Sequence, residues 1–189
     1  MRIELCGGLA SGKTSLASSI KEITPNYNVV FEDFSATGHL ADFYNNPKYY
    51  AFETEIFCLL SHVHSIKVSM LDNKPILCDF SLVQDWVYSK INLNNTEWRV
   101  YEQVYQEAVR QVNQTDLVVF LTCSVDEMLK RIRIRGRKSE ESVDENYQNQ
   151  IVNGLRKRLL ETKIETMEIS SELNDFREQS VVSKIISQL

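Results

Sequence analysis

The feature that most constrains the fold is a glycine-rich segment near the N-terminus. Residues 7–14 read Gly-Gly-Leu-Ala-Ser-Gly-Lys-Thr and fit G-x-x-x-x-G-K-[ST], the phosphate-binding P-loop. A strand-like stretch precedes the segment and a helix-like stretch follows it, which is the context that this motif requires. Backbone N–H groups and a helix N-terminus then surround a polyphosphate. The residues predicted to bind nucleotide phosphates are Gly7, Gly8, Leu9, Ala10, Ser11, Gly12, Lys13 and Thr14.

Strand-like and helix-like segments alternate along the chain. Alternation of this kind predicts a mostly parallel sheet with helices on both faces. We therefore predict one α/β domain over residues 1–189, with the three-layer P-loop NTPase fold and five parallel strands. The predicted strands are 2–6, 28–31, 76–79, 117–121 and 164–169, and the predicted helices are 13–23, 41–43, 49–71, 82–91, 97–112, 125–134, 143–163 and 176–187.

Composition narrows the classes of partner. The net charge of −5 argues against a nucleic-acid surface, and no apolar run reaches membrane-spanning length. The chain enters strand-like sequence at once, so no signal peptide is expected. The four cysteines lack metal-ligand spacing, which favours reduced thiols. We expect a cytoplasmic protein with no nucleic-acid or membrane partner.

Polar residues follow several of the predicted strands. Glu32 and Asp33 follow the second strand, and Asp79, Phe80 and Ser81 follow the third. Ligands of open α/β sheets bind beyond the carboxyl ends of the strands. The carboxylates are therefore placed to meet a substrate hydroxyl or a metal ion.

A basic segment, residues 131–138, reads Arg-Ile-Arg-Ile-Arg-Gly-Arg-Lys. On a helix Arg131 and Arg135 share a face, and Gly136 is a residue typical of a helix end. Arginine binds phosphate with a planar fork of donors, so the segment predicts an arginine-rich lid over a nucleotide. The alternative is a solvated face balanced by acidic neighbours, but the upstream P-loop favours the lid.

The order and spacing of these motifs resemble the deoxynucleoside kinase family, from Arg2 to about Lys163. The P-loop, the carboxylate after the second strand, the stretch 43–52, the acidic residue after the third strand and the segment 131–140 carry the resemblance. It implies an ATP- and Mg²⁺-dependent kinase that phosphorylates a deoxynucleoside at the 5′-hydroxyl. It also implies a homodimer packed through the predicted helices 49–71 and 97–112.

The resemblance implies a role for each matching residue. Glu32 would be the general base for the 5′-hydroxyl, assisted by Lys13 and the lid arginines. Residues expected to contact the substrate are Tyr44 and Glu140 at the 3′-hydroxyl and Asp85 near the base. The remaining expectations are Arg131 and Arg135 for catalysis, Arg137 for nucleotide binding, and Thr14 and Asp79 for Mg²⁺.

Three residues depart from the family pattern. Phe80 stands where the family has an arginine beside the general base, and losing a fixed cation there costs about 3 kcal/mol of transition-state stabilisation if nothing replaces it. Another arginine compensates, the substrate binds differently, or catalysis is weak. Glu55 stands where the family has a glutamine that reads the base, and His62 stands where several members have an arginine.

Glu55 suggests a hypothesis about the base. An ionised carboxylate only accepts hydrogen bonds, and guanine presents two adjacent donors. We therefore expect a purine site biased to guanine, with His62 donating to O6. The alternative is that Glu55 pairs with a lysine or with His62 and does not meet the base.

Two other functions remain open at this stage. A nucleoside-monophosphate kinase of the thymidylate type has a related fold, but Phe80 counts against it because those enzymes also use arginine at this place. A catalytically silent nucleotide-binding member is favoured by Phe80. The intact Lys13 and Thr14 count against a silent protein.

Overall fold

Five parallel strands form the centre of the molecule, as predicted. The computed structural model describes residues 1–33, 40–137 and 140–189, without the side chains of Leu40, Ala41 and Tyr44. The strands are β1 (Arg2–Cys6), β2 (Asn28–Val30), β3 (Ile76–Cys78), β4 (Leu117–Thr122) and β5 (Thr166–Ser170), in the spatial order β2-β3-β1-β4-β5. The described helices are α1 (Lys13–Ile23), α2 (Leu40–Asn45), α3 (Pro47–Ser69), α4 (Leu82–Asn92), α5 (Asn95–Arg110), α6 (Val125–Arg135), α7 (Glu145–Thr162) and α8 (Gln179–Ile186).

Side chains alternate between the two faces of the sheet, because successive residues of a strand point in opposite directions. Ile3 and Leu5 of β1 pack with the buried residues of α1 and α8. Cys6 of β1 packs on the opposite face with residues of α4 and α7. A further core cluster joins α3 and α5 to β3. The sheet is therefore covered on both faces, which is the predicted three-layer arrangement.

Several helices begin at residues other than the predicted ones. α5 begins at Asn95 because the Asn94 side chain accepts from the Glu97 N–H, and Glu97 bonds back to the Asn94 N–H. α3 begins two residues earlier than predicted, at Pro47, a residue that suits the first helical turn. α8 begins at Gln179, and Phe176, which was predicted to start it, lies in the preceding loop with its side chain buried.

β1 lies at the centre of the sheet and determines where a ligand can bind. It pairs with β3 on one side and with β4 on the other. The loop after β1 therefore lies between the segments that follow β3 and β4, at the edge where parallel-sheet proteins bind ligands. In the part of the chain that is described, no helix is long and apolar enough to cross a membrane.

Candidate nucleotide and substrate site

The P-loop joins the end of β1 to the start of α1. Gly12 caps α1 with a left-handed backbone, φ 103°, a conformation that glycine adopts without strain. A Cβ at Gly7 would lie 2.4 Å from the Ser11 Oγ and 2.9 Å from the Leu121 carbonyl oxygen. The loop thus requires glycine for close packing at one end and for backbone geometry at the other.

Two polar groups of the loop have properties that suit anion binding. The Ser11 Oγ is buried and has no hydrogen-bond partner among the described residues, although buried hydroxyls ordinarily have one. The Lys13 Nζ donates to the carbonyl oxygens of Gly7 and Gly8, at 3.1 and 3.2 Å. Burial lowers the pKa of Lys13, and the nearby carboxylates of Glu32 and Asp79 oppose that shift.

A cavity of about 730 Å³ opens over the P-loop. Its walls come from the P-loop, the end of β2, α3, α4, the lid segment and the loop after β5. This volume lies within the range of small-molecule sites. The polar or ionisable side chains lining it beyond the P-loop are Ser15, Glu32, Thr54, Glu55, Cys58, Gln84, Asp85, Tyr88, Glu127, Arg131, Arg135, Arg137, Glu140, Ser171, Glu172, Asn174, Asp175 and Arg177.

Carboxylates after β2 and β3 meet beside the P-loop. The Glu32 backbone N–H donates to the Asp79 Oδ1 at 2.6 Å. Burial raises the pKa of Asp79. A hydrogen bond from the Thr14 hydroxyl to the Asp79 carboxylate acts in the opposite direction and lowers this pKa. The structure therefore brings together Thr14 and Asp79, the two residues expected near Mg²⁺.

A histidine connects two of the cavity carboxylates. The His62 Nδ1 lies 2.9 Å from the Asp85 Oδ2, and its Nε2 lies 3.1 Å from the Glu32 Oε1. Phe80 stacks on the ring, with centroids 3.9 Å apart and planes within 7°. Both ring nitrogens of His62 are engaged, so the hypothesis that this residue donates to O6 of a purine is wrong for this arrangement.

Glu55 is buried and lines the cavity from α3. It accepts hydrogen bonds from the Ser89 Oγ at 2.8 Å and the Asn92 Nδ2 at 2.7 Å. Burial raises its pKa to about 7, although these two bonds act in the opposite direction. The alternative hypothesis was that Glu55 pairs with a lysine or with His62. The described contacts show neither pair. Glu55 reaches the cavity as a carboxyl whose pKa is raised toward neutrality.

The lid segment begins within α6 and contributes three arginines to the cavity. Gly136, whose φ is 62°, caps the C-terminus of α6, and Arg131, Arg135 and Arg137 all line the cavity. Glu140 forms ion pairs with Arg135 and Arg137, so it contacts the lid arginines themselves.

Arg131 is held by partners that sequence reasoning missed. Its Nη1 donates to the Ser171 Oγ at 3.0 Å, its Nη2 donates to the Ser171 carbonyl oxygen at 2.9 Å, and its Nε pairs with Glu127. Ser171 follows β5, so extending the strand-end rule to the fifth strand would have found it. Gln84 was also missed; its Oε1 accepts from the Gly7 N–H at 3.3 Å.

Some predictions lie outside the described residues. The side chain of Tyr44 is not described, nor are the positions 34–39 and 138–139. The expected contact of Tyr44 with a 3′-hydroxyl therefore stays a prediction. Where residues are described, the four cysteines are free thiols, and no cluster of three or more His, Cys, Asp or Glu has a metal-binding arrangement.

The fold and this site define the class of protein. A P-loop after the central strand, a facing carboxylate and a lid of arginines characterise a P-loop nucleotide-binding protein. The family model of deoxynucleoside kinases matches residues 3–189. The chain belongs to the deoxynucleoside kinase family, whose characterised activity is phosphoryl transfer.

Individual relatives agree with this assignment. The chain is 26% identical over 156 residues to deoxyadenosine kinase of Dictyostelium discoideum, covering 80% of this chain and 63% of that protein. It is 30% identical over 149 residues to deoxyguanosine kinase of Lactobacillus johnsonii, covering 74% and 66%. The matched region thus spans about two thirds of these relatives. Deoxyadenosine kinase from M. mycoides with bound dCTP has the same fold, with a TM-score of 0.83, 19% identity and full coverage of both chains.

Proposed function

We propose that this protein transfers a phosphoryl group from ATP to the 5′-hydroxyl of a purine deoxynucleoside. One observation carries the proposal: Lys13 of the P-loop, the Glu32 carboxylate and three lid arginines all line the same cavity. Phosphoryl transfer needs charge neutralisation around the transferred group and a base at the attacking hydroxyl. Both requirements are met by residues of this chain.

Each residue has a defined task in this proposal. The P-loop N–H groups and Lys13 hold the phosphates, and Arg131 and Arg135 neutralise charge on the transferred group. Arg137 contributes to nucleotide binding. Glu32 accepts the proton of the 5′-hydroxyl, which requires hydrogen-bond reach between the two oxygens. The Arg131 guanidinium is already oriented by Ser171.

The residues around Asp79 fit a magnesium ion. The Thr14 hydroxyl and the Asp79 carboxylate are hard oxygen donors, which Mg²⁺ prefers together with phosphate oxygens and waters. A Mg²⁺ bound there would neutralise phosphate charge. Thr14 and Asp79 would hold the ion, directly or through water.

The base is recognised between α3 and α4 in this proposal. Glu55 and Asp85 line that part of the cavity, and relatives named above act on deoxyadenosine and deoxyguanosine. The ionised form of Glu55 can still accept from a purine, because each of its oxygens has a second lone pair. We retain a preference for guanine over cytosine as part of the proposal. This preference is tested by comparing guanine and cytosine deoxynucleosides as substrates of the wild-type protein and of Glu55→Gln.

We extend the proposal to assembly and location. Leu60 of α3 and Val100 of α5 are about half exposed, and an apolar groove between these helices is lined by Leu60, Val104 and Ala108. Exposed apolar groups on adjacent helices are typical of subunit contacts, which supports a homodimer. Free thiols support a reducing, cytoplasmic location.

The test is a phosphorylation assay with Mg-ATP and a panel of nucleosides and nucleoside monophosphates. The Lys13→Ala variant is compared with Lys21→Ala, which removes an exposed lysine from the same helix. We expect phosphorylation of purine deoxynucleosides that Lys13→Ala abolishes and Lys21→Ala leaves intact. Turnover of monophosphates alone would replace the proposal with a monophosphate kinase. Nucleotide binding without transfer would indicate a catalytically silent member.

A further inference from the structure

The three ionisable groups Glu32, His62 and Asp85 form a continuous chain, and its two carboxylates line the cavity. The imidazole of His62 has a carboxylate at each nitrogen, at 2.9 and 3.1 Å. Its side chain is 5% exposed, whereas that of Glu32 is 20% exposed. The buried ring therefore contacts the carboxylate that reaches toward substrate.

These contacts determine the charge of the ring. A neutral imidazole has one N–H and could donate to only one of the two carboxylates. An imidazolium donates to both, and its charge offsets two neighbouring negative charges. Burial on its own lowers the pKa of His62, but the charges and hydrogen bonds of Asp85 and Glu32 outweigh burial and raise the pKa to about 10.

Phe80 fixes the orientation of the ring. Its own ring is fully buried and lies parallel to the imidazole at 3.9 Å. A cation stacked on an aromatic face is stabilised by the negative potential of that face. The stacking also restricts tilting, so both N–H groups stay directed at their carboxylates. Position 80 thus holds no cation itself but supports one.

We propose that His62 is the positioning residue of the general base, holding one oxygen of Glu32 and supplying the positive charge beside it. The second oxygen of Glu32 is then left to accept the proton of the substrate hydroxyl. Asp85 anchors the other side of the imidazolium, and Phe80 is its platform. This inference rests on the proposed kinase function. It makes His62 the cation that replaces the arginine expected at position 80.

The test separates charge from packing at position 62. His62→Arg keeps a cation with several donors, and His62→Gln keeps polarity without charge. His64→Gln is the matched control, because His64 is exposed on the same helix. We expect kcat to fall about 100-fold in His62→Gln, with a smaller change in KM, to fall less than tenfold in His62→Arg, and to stay unchanged in His64→Gln.

Several results would overturn the inference. One is a kcat of His62→Gln equal to that of the wild-type protein. Another is an equal loss of kcat in His62→Arg and His62→Gln when both variants are folded. A measurement on the wild-type protein covers the case in which a variant fails to fold. The ¹⁵N shifts of the His62 ring at pH 7 should show both nitrogens protonated, and a neutral ring would refute the proposal.

The two readouts also separate this inference from the proposed function. If the wild-type protein phosphorylates nothing, the kinase proposal fails and the base-positioning role fails with it. The ring shifts then still report whether the charged Glu32–His62–Asp85 arrangement exists. If the protein is active and the ring is neutral, only the inference about His62 fails.

Discussion

Replacing Glu55 by glutamine should change how stability depends on pH. Burial raises the pKa of Glu55 in the folded protein from 4.5 to about 7. The folded state therefore binds a proton more tightly than the unfolded state. The stabilisation from that proton is fully present below pH 4.5 and is lost as the pH rises through 7. One pKa unit corresponds to about 1.4 kcal/mol, so the rise from 4.5 to about 7 corresponds to about 3.5 kcal/mol.

Glutamine does not titrate, so Glu55→Gln lacks this loss. Between pH 5 and pH 8 the free energy of unfolding of the wild-type protein should fall by about 2.5 kcal/mol relative to the variant. Denaturant unfolding of both proteins at intervals across this range measures the difference, because groups common to both cancel. Glu53→Gln is the control, since Glu53 is exposed on the same helix. A wild-type-minus-variant difference that stays constant from pH 5 to pH 8 would refute the reasoning.

Three further predictions concern the fold around the site and its assembly. Ser81→Ala removes the hydroxyl that caps α4 and donates to the buried Glu4 carboxylate. Denaturant titrations should show that the free energy of unfolding falls by about 2 kcal/mol. A loss as small as that of Ser183→Ala, at an exposed serine, would contradict this prediction. Gly12→Ala forces a side chain onto a left-handed backbone, so the free energy of unfolding should fall by about 1–2 kcal/mol. The affinity for ATP, measured by calorimetry, should also fall. Unchanged values of both quantities would disprove the role of this glycine. Leu60→Glu places a charge in the groove between α3 and α5 and should shift a dimer to monomer in analytical ultracentrifugation, whereas a wild-type monomer would refute the proposed homodimer.

The sequence by itself determined the parts of the protein that depend on local patterns. The P-loop was identifiable because its glycines, lysine and threonine lie at fixed spacing within residues 7–14. The alternation of apolar strands and amphipathic helices predicted the sheet, and the bounds of α1 matched residue for residue. The strand-end rule also placed Glu32 and Asp79 at one edge, because parallel strands align their carboxyl ends.

Only the tertiary structure decided what the cavity side chains do. His62 on α3 and Asp85 on α4 are 23 residues apart in the chain, and Glu32 comes from the end of β2. Their contact depends on how two helices pack against the sheet, which no local pattern encodes. The partners of Glu55 likewise come from α4. Charge and hydrogen bonding at close range vary steeply with distance and burial, so residue identity alone could not assign these roles.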